Sequence, residues 1–451
     1  MDGDSLAARF IVDTTWDNLP EAVQKKARMC LMDNLGATIS GARTGVSRIA
    51  AQFASTRMPG REATIVLHGK KTTTAGAAFA NGCAANGLDT DDSARYAYGH
   101  AGAQVFPTAL AVAEARGLSG ADLLCGLVVG YEVAHRMGRC WHDHHEVYQA
   151  CGSWGSVACA AVAAHLMKLD VDQARNAIGI AEYHAPNLPM MRDIAHPAMV
   201  KHGIGWAPLT GITAAELASF GFTGIPTLFS FEKYREWVAD IGQNYLMVDG
   251  VAWKAKGYAC CGWAHAAVEG SRKLVDEHNV DPRQIDRVVV ETFHESAALG
   301  TRLPTTTEEA QFNLAWPVAA MLVDGEIGPE QTLERRLQDE TIRTLAGKVE
   351  VRESEELNEL CLLFEKGDPR GRFASSVTLV LKDGRRFESG LVGGGLTFPQ
   401  PGWDENTMEE KFHWLVDPVL EKARVNKLIS LVWSFEEQPG VGELIGELQG
   451  M

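Results

Sequence analysis

The segment Asn81–His100, NGCAANGLDTDDSARYAYGH, carries three acids within four residues (Asp89, Asp91, Asp92), a hydroxyl (Ser93), an arginine (Arg95) and a histidine (His100). It lies between two stretches rich in Ala and Gly, Ala75–Ala85 and Ala101–Ala115. Charges set in small, apolar surroundings are costly unless they are paired or used. The segment therefore reads either as one wall of a catalytic site or as a solvated acidic turn that caps the next helix. The wider acid–base set is Asp89, Asp92, His100, His145, Lys201, His202, Tyr258 and His265. Imidazoles titrate near neutral pH and suit proton transfer, although a lone histidine on an Ala-rich helix is more often a satisfied core or surface residue.

Metal and nucleotide chemistry find less support. Trp141–Glu146, WHDHHE, groups histidines with carboxylates, but adjacent helical residues point in different directions and neither HExxH nor HxxEH occurs. The expectation is a solvated loop and no metal. No GxGxxG stands in a strand–turn–helix frame, no GxxxxGK[ST] occurs, and no GxSxG elbow is present. No cofactor is expected.

These residues must be positioned by helices. Asn18-Leu19-Pro20-Glu21 is a helix start, followed by Val23, Ala27, Cys30, Leu31, Leu35 and Ile39 at helical spacing. Thr72–Cys83, Val105–Arg116 and Leu123–Arg139 read as helices, the last opened by a capping box over Ser119–Asp122. Gly152–Leu166, Val171–Ala181 and Gly203–Phe220 are rich in small residues, which let helix axes come close. Ala63–Gly69 reads as a short strand. Past residue 270 the pattern changes. Ile285–Glu295 begins as a strand, Lys348–Glu353 is another, and Phe373–Lys382 with Arg385–Ser389 forms a hairpin about Asp383-Gly384. Gly393–Gly395 and Pro399-Gln400-Pro401 mark the end of that region. The expected fold is mainly α with an α+β second domain: a large all-helical domain over 1–268 and 403–451, and a smaller α+β lid domain over 269–402.

At 451 residues the chain is too long for one simple core. A net charge of −16 argues against nucleic acid and anionic membrane surfaces as partners. It does not exclude an anionic small substrate, because a local cationic pocket can oppose the global sign. No apolar run reaches the length of a membrane span. MDGDSLAARF lacks the features of a secretory signal, and the nine cysteines contain no CxxC pair. A cytoplasmic protein with reduced thiols is expected.

The ordered motifs resemble the MmgE/PrpD family nearly end to end. NGCAANGLDTDDS (81–93) is similar to its NGxxxHxxDxDDT. SGADLLCGLVVGYEVAHRMG (119–138) is similar to SGxxLLxAxxxGYEVxxRxG, and GSWGSVACAAVAAHLMKLD (152–170) to its GTWG segment. KHGIGWAPLTGITAAELASFGFTGIP (201–226) resembles its Lys-led helix. YACCGWAHAAVEG (258–270) resembles YPCCxxxH, and QFNLAWPVAAMLVDG (311–325) resembles QFSxxYxxAxxLxDG. Each motif alone is loose; in this order they are specific. The family contains 2-methylcitrate dehydratase, cis-aconitate decarboxylase and iminodisuccinate epimerase.

The resemblance implies a homodimer, a site between the two domains, and cofactor-independent lyase or isomerase chemistry. That chemistry acts beside a carboxylate of a small di- or tricarboxylate. It implies catalytic roles for Asp89, His100, Lys201 and His265, and substrate binding by Ser93 and Arg95. Three positions depart from the pattern: Asn86 for a histidine, Gln149 (after Tyr148) for another, and Trp316 for a tyrosine. These four residues are carried as substrate-binding candidates. A 2-methylcitrate dehydratase-like hydro-lyase is the leading expectation, with an iminodisuccinate-type epimerase or a cis-aconitate decarboxylase-like enzyme as alternatives. A non-catalytic carboxylate-binding relative is the alternative of a different class. His100 and His265 could serve as acid and base in any of the three reactions.

Overall fold

The computed structural model describes residues 2–366, 368–394 and 396–450. Gly395, part of the expected Gly393–Gly395 break, lies outside the described residues. A large helical body carries a smaller α+β body. No helix among the described residues is long and apolar enough to cross a membrane.

The helical body is built on close axis approach. Helix Gly152–Leu166 is buried along its whole length and packs against Gly120–His144, Gly102–Arg116 and Trp206–Ser219. A Cβ on Gly211 would stand 2.5 Å from the Ala160 backbone nitrogen, and one on Gly155 would stand 1.8 Å from Gln104 Oε1. Side chains this small bury little area each, so stability rests on dense backbone-to-backbone contact. Helix Gly120–His144 opens with the expected capping box, Ser119 and Asp122 exchanging bonds. The stretch read as one strand over 63–69 is a hairpin instead. Ala63–Ile65 pairs with Lys70–Thr72, and Leu67 and Gly69 take positive φ in the turn. After the second body the chain returns, and Met408, Phe412 and Leu415 of helix Glu405–Val416 join the core that holds Leu31 and Leu35.

The second core gathers residues from Tyr258 to Leu381, together with Ala150, Met190 and Ile194. Its sheet runs in the order Val349–Glu353, Ile285–Thr292, Ala374–Leu381, Arg386–Gly393, the first pair parallel and the others antiparallel. The hairpin turns at Asp383-Gly384, where Gly384 has φ 88°. Helix His265–His278 covers the sheet, and the expected boundary at 268/269 falls inside this helix.

Two glycine substitutions test the packing. Gly211→Ala gains helix propensity but forces two backbones apart, and should lower stability by about 1–3 kcal/mol. Gly446→Ala, at an exposed helix position with open space around it, should raise stability by up to about 1 kcal/mol. Thermal denaturation reads both, and equal stabilisation by the two would refute close packing as the role of Gly211.

Candidate active site

A cavity of about 540 Å³ opens between the two bodies. The segment after helix Thr74–Ala85 supplies much of its wall. Ser93–Ala94 pairs antiparallel with Val251–Ala252, Ala94 bridges Gly99, and His100 follows just before helix Gly102–Arg116. Gly99 is required here, because a Cβ would lie 2.3 Å from Cys151 Sγ. At the tip, the Tyr98 hydroxyl donates to Glu365 O in the second body (3.1 Å), while Tyr148 donates to Tyr98 O (2.7 Å).

The three acids have three different fates. Asp89 takes φ 54° and meets Lys254, whose Nζ donates to Asp89 Oδ2 (2.5 Å), Asp89 O (2.6 Å) and Cys260 O (3.2 Å). Burial disfavours the Asp89 anion, but the Lys254 and His100 charges outweigh it and hold the carboxyl well below its usual range. Asp91 lies behind His100 and accepts from Asn86 Nδ2 (2.8 Å). Asp92 turns away from the cavity. It accepts from Gly102 N (3.1 Å) and from the Tyr131 hydroxyl, and so serves the start of the next helix.

His100 sits between two carboxylates. Its Nδ1 is 2.9 Å from Asp91 Oδ2, and its Nε2 is 3.5 Å from Asp89 Oδ1. Burial alone would lower its pKa, but the Asp91 and Asp89 charges more than offset this and the net shift is upward. The His202 ring stacks against it, centroids 6.0 Å apart and planes 14° apart. Lys201, His202 and Gly203 all have positive φ (33°, 58°, 68°). For the two non-glycine residues this costs on the order of 1–3 kcal/mol each, and such strain clusters at functional sites. Asp193 Oδ2 holds His202 in place, accepting from its backbone N and from Nδ1, both at 2.7 Å. The Nδ1 proton is thereby committed and Nε2 is left as the free ring nitrogen.

Of the residues expected from sequence, Asp89, Ser93, Arg95, His100, His145, Tyr148 and His202 line the cavity. The others are not part of its lining. Lys201 is buried, donates to Gln311 Oε1, and has Nζ 5.4 Å from the centroid of Phe312, itself on the wall. His265 is buried, and its Nε2 donates to Cys260 O (3.1 Å), the carbonyl that also receives Lys254. Burial and the Lys254 charge lower the His265 pKa to about 3, so it is neutral. Asn86 bridges Asp89 and Asp91 from behind (3.3 and 2.8 Å). Gln149 accepts from Leu188 N (2.7 Å) and pins the 184–190 loop. Trp316 is fully buried and donates to Gln331 O (2.9 Å). Tyr258 donates to Glu269.

Lys254 and Arg139 line the cavity and were not singled out from sequence. Lys254 had one local signal, a cation in the otherwise apolar run Val251-Ala252-Trp253-Lys254-Ala255. Arg139 had none, lying near the end of a long apolar helix. Its Nη1 donates to the Tyr98 hydroxyl (3.2 Å), and Arg95 Nη1 donates to Phe398 O (3.4 Å). Neither guanidinium makes an ion pair among the described residues, so both are free to meet an anion. The WHDHHE segment contributes His142, Asp143, His145 and Glu146 to the cavity wall. The grouping with metal-ligand spacing is a different one. Ligand atoms of Asp89, His100 and His202 lie within 4.8 Å of one another, but the Lys254 ammonium on Asp89 opposes a divalent cation there.

The chain matches two family models, the MmgE/PrpD N-terminal domain over residues 6–238 and the MmgE/PrpD C-terminal domain over 258–436. It is 25% identical to the cis-aconitate decarboxylase-like protein oryM of Aspergillus oryzae, covering 98% of this chain and 96% of that one. It is 27% identical to the cis-aconitate decarboxylase of Homo sapiens (96% and 92%) and 24% identical to that of Aspergillus terreus (95% and 92%). Two family models in the right order, spanning nearly the whole of a helical body and an α+β body, establish that the chain belongs to the MmgE/PrpD family.

Proposed function

We propose that the protein is a cofactor-independent lyase that decarboxylates a small unsaturated di- or tricarboxylate, with His100 as the proton donor. The observation that carries this reading is His100 itself, an imidazole on the cavity wall favoured in its protonated form by Asp89 and Asp91. Decarboxylation needs an acid and no base for carbon. The bond to the leaving carboxylate breaks as CO2 departs. Its electron pair shifts through the adjoining double bond, and the far carbon takes a proton from His100 Nε2. Arg95 and Arg139 hold the carboxylates that remain, a task suited to bidentate guanidinium contact. Lys254 and Asp89 form a fixed ion pair beside the acid and set its field. Neutral His265 acts as a positioning residue, through the carbonyl it shares with Lys254. The similarity to cis-aconitate decarboxylases supports the same choice.

A second reading, dehydration of a 2-hydroxy acid, has one observation in its favour. His202, with Nδ1 committed to Asp193, presents Nε2 close to His100 and could accept an α-proton. Epimerisation would use the same pair. We also take the active unit to be a homodimer, as the family resemblance implies, and place it in the cytoplasm on its unpaired cysteine pattern; its two domains are the helical body and the α+β body, with the boundary moved from 268/269 to before helix His265–His278.

Proton NMR in D2O separates these chemistries. Decarboxylation releases CO2 and leaves one deuteron on the product, dehydration yields an alkene without CO2, and epimerisation exchanges the α-proton without net conversion. His100→Gln should reduce turnover by about 10²–10⁴-fold with the fold intact; turnover near wild type on the true substrate would remove His100 from the mechanism.

The pH profile gives an independent check. The acid form of His100 is required and its pKa is raised above 6.5, so kcat/KM should hold below that pKa and fall as pH rises through it. Asp91→Asn removes one charge that favours the imidazolium, and should move the falling limb to lower pH. A shift to higher pH would contradict the assignment.

A further inference from the structure

The cavity has an aromatic wall that carboxylate chemistry does not use. Trp263, Phe364, Phe373 and Phe398, with Met190 and Met191 from helix Met190–Ala195, form it. The Phe364 and Phe373 ring centroids are 4.5 Å apart, and Phe364 and Phe398 are 6.2 Å apart, so the three phenylalanines form one continuous surface. Each is only half-buried and keeps open area toward the cavity, as does Trp263. Ligand atoms of Asp89, His100 and His202 cluster within 4.8 Å of one another, with Lys254 paired to Asp89, while Glu295 and Glu365, the latter next to Phe364 in the chain, also line the cavity. Arg95 joins the Asp89 cluster to the aromatic wall: it is two residues from Ser93 in the charged loop, and it hydrogen-bonds the Phe398 carbonyl. About 540 Å³ is the volume of a site for a drug-sized ligand, more than a bare short tricarboxylate fills. Two guanidiniums provide for two carboxylates, and Glu295 and Glu365 on the same wall would repel a third, which leaves the aromatic surface to an uncharged group.

We propose that this wall is a subsite for an apolar substituent, so that the preferred substrate is a di- or tricarboxylate bearing an alkyl or aryl chain of several carbons. This rests on the carboxylate-acting reading above and narrows its substrate class. A chain seated against the phenylalanines leaves water for an apolar wall, and each methylene should strengthen binding about three- to fourfold until the wall is covered. The methionines add adaptable surface that accepts more than one chain shape.

Isothermal titration of the full-length protein with saturated 2-alkylsuccinates (methyl, butyl, hexyl) tests this without any reaction step. Affinity should rise by about 10²–10³-fold from methyl to hexyl. Phe364→Ser and Met191→Ser, on different elements of the wall, should each flatten that rise, and agreement between the two guards against a local folding defect in either. An uncharged probe, hexanamide, should bind far more weakly than hexylsuccinate. Affinity that is flat or falls with chain length overturns the subsite while leaving the carboxylate site standing. Hexanamide binding as tightly as hexylsuccinate overturns it as a substrate subsite. No binding by any of the diacids overturns the carboxylate-acting reading and this inference together, whereas chain-dependent binding without turnover of the unsaturated acids separates a sound subsite from a wrong reaction.

Discussion

The structure depends on bringing buried cations to a buried acidic loop. Asp89, Asp91 and Asp92 are buried in a body whose core is richest in alanine, followed by leucine and valine. Isolated carboxylates there would neutralise or unfold their surroundings. Lys254 arrives from the strand that pairs with Ser93–Ala94 and grips both the side chain and the carbonyl of Asp89. Lys411 arrives from helix Glu405–Val416, donates to Thr90 O (2.7 Å) and pairs with Asp33. Tyr131 supports Asp92 from the long helix Gly120–His144. Chain segments more than 300 residues apart in sequence thus converge on one four-residue turn, joined by bonds that lose most of their value if one partner is removed.

That convergence has a chemical result. Buried pairs are not strong evidence of stability, but they fix geometry and field. With Asp89 neutralised by Lys254, its remaining oxygen and Asp91 are left to hold the proton on His100. The pocket's arginines, Arg95 and Arg139, make no ion pair among the described residues and hydrogen-bond only to Phe398 O and the Tyr98 hydroxyl. One pocket therefore contains a buried ion pair, an imidazole between two carboxylates and two guanidiniums. The strained Lys201-His202-Gly203 turn adds the stacked His202, held out of the ordinary helical conformation by Asp193. The small-residue packing serves the same end: Gly152, Gly99 and Gly102 each lie where a Cβ would collide with a neighbour at the site.

The cavity wall is divided between the two bodies. Proton-transfer groups stand on the helical body, while the aromatic surface comes mainly from the α+β body. On the function proposed above, the first set acts on the reacting bond and the second meets what the substrate carries besides its carboxylates. Asn86 illustrates the separation. A short amide there accepts no proton and instead ties Asp89 to Asp91, so the loop keeps its shape while losing a titratable group.

Sequence alone determined a good deal. Helical periodicity, capping boxes and the Asp383-Gly384 hairpin are local, so the helical body and the sheet of the α+β body were legible. The order of motifs identified the family, and the acidic loop stood out because charges in an Ala-rich run need a reason. Contacts between distant segments were not legible. Lys254 and Arg139 lie 165 and 50 residues from Asp89 and carry no motif, so only folding shows that one is its partner and the other faces the same cavity. Lys201 and His265 fall on family positions, yet the structure sets their nitrogens against Gln311 and the Cys260 carbonyl. Sequence types give the chemistry a residue is capable of; which atom it faces, and whether burial leaves it charged, is decided by tertiary packing, because desolvation and pairing act over a few ångströms in space and not along the chain.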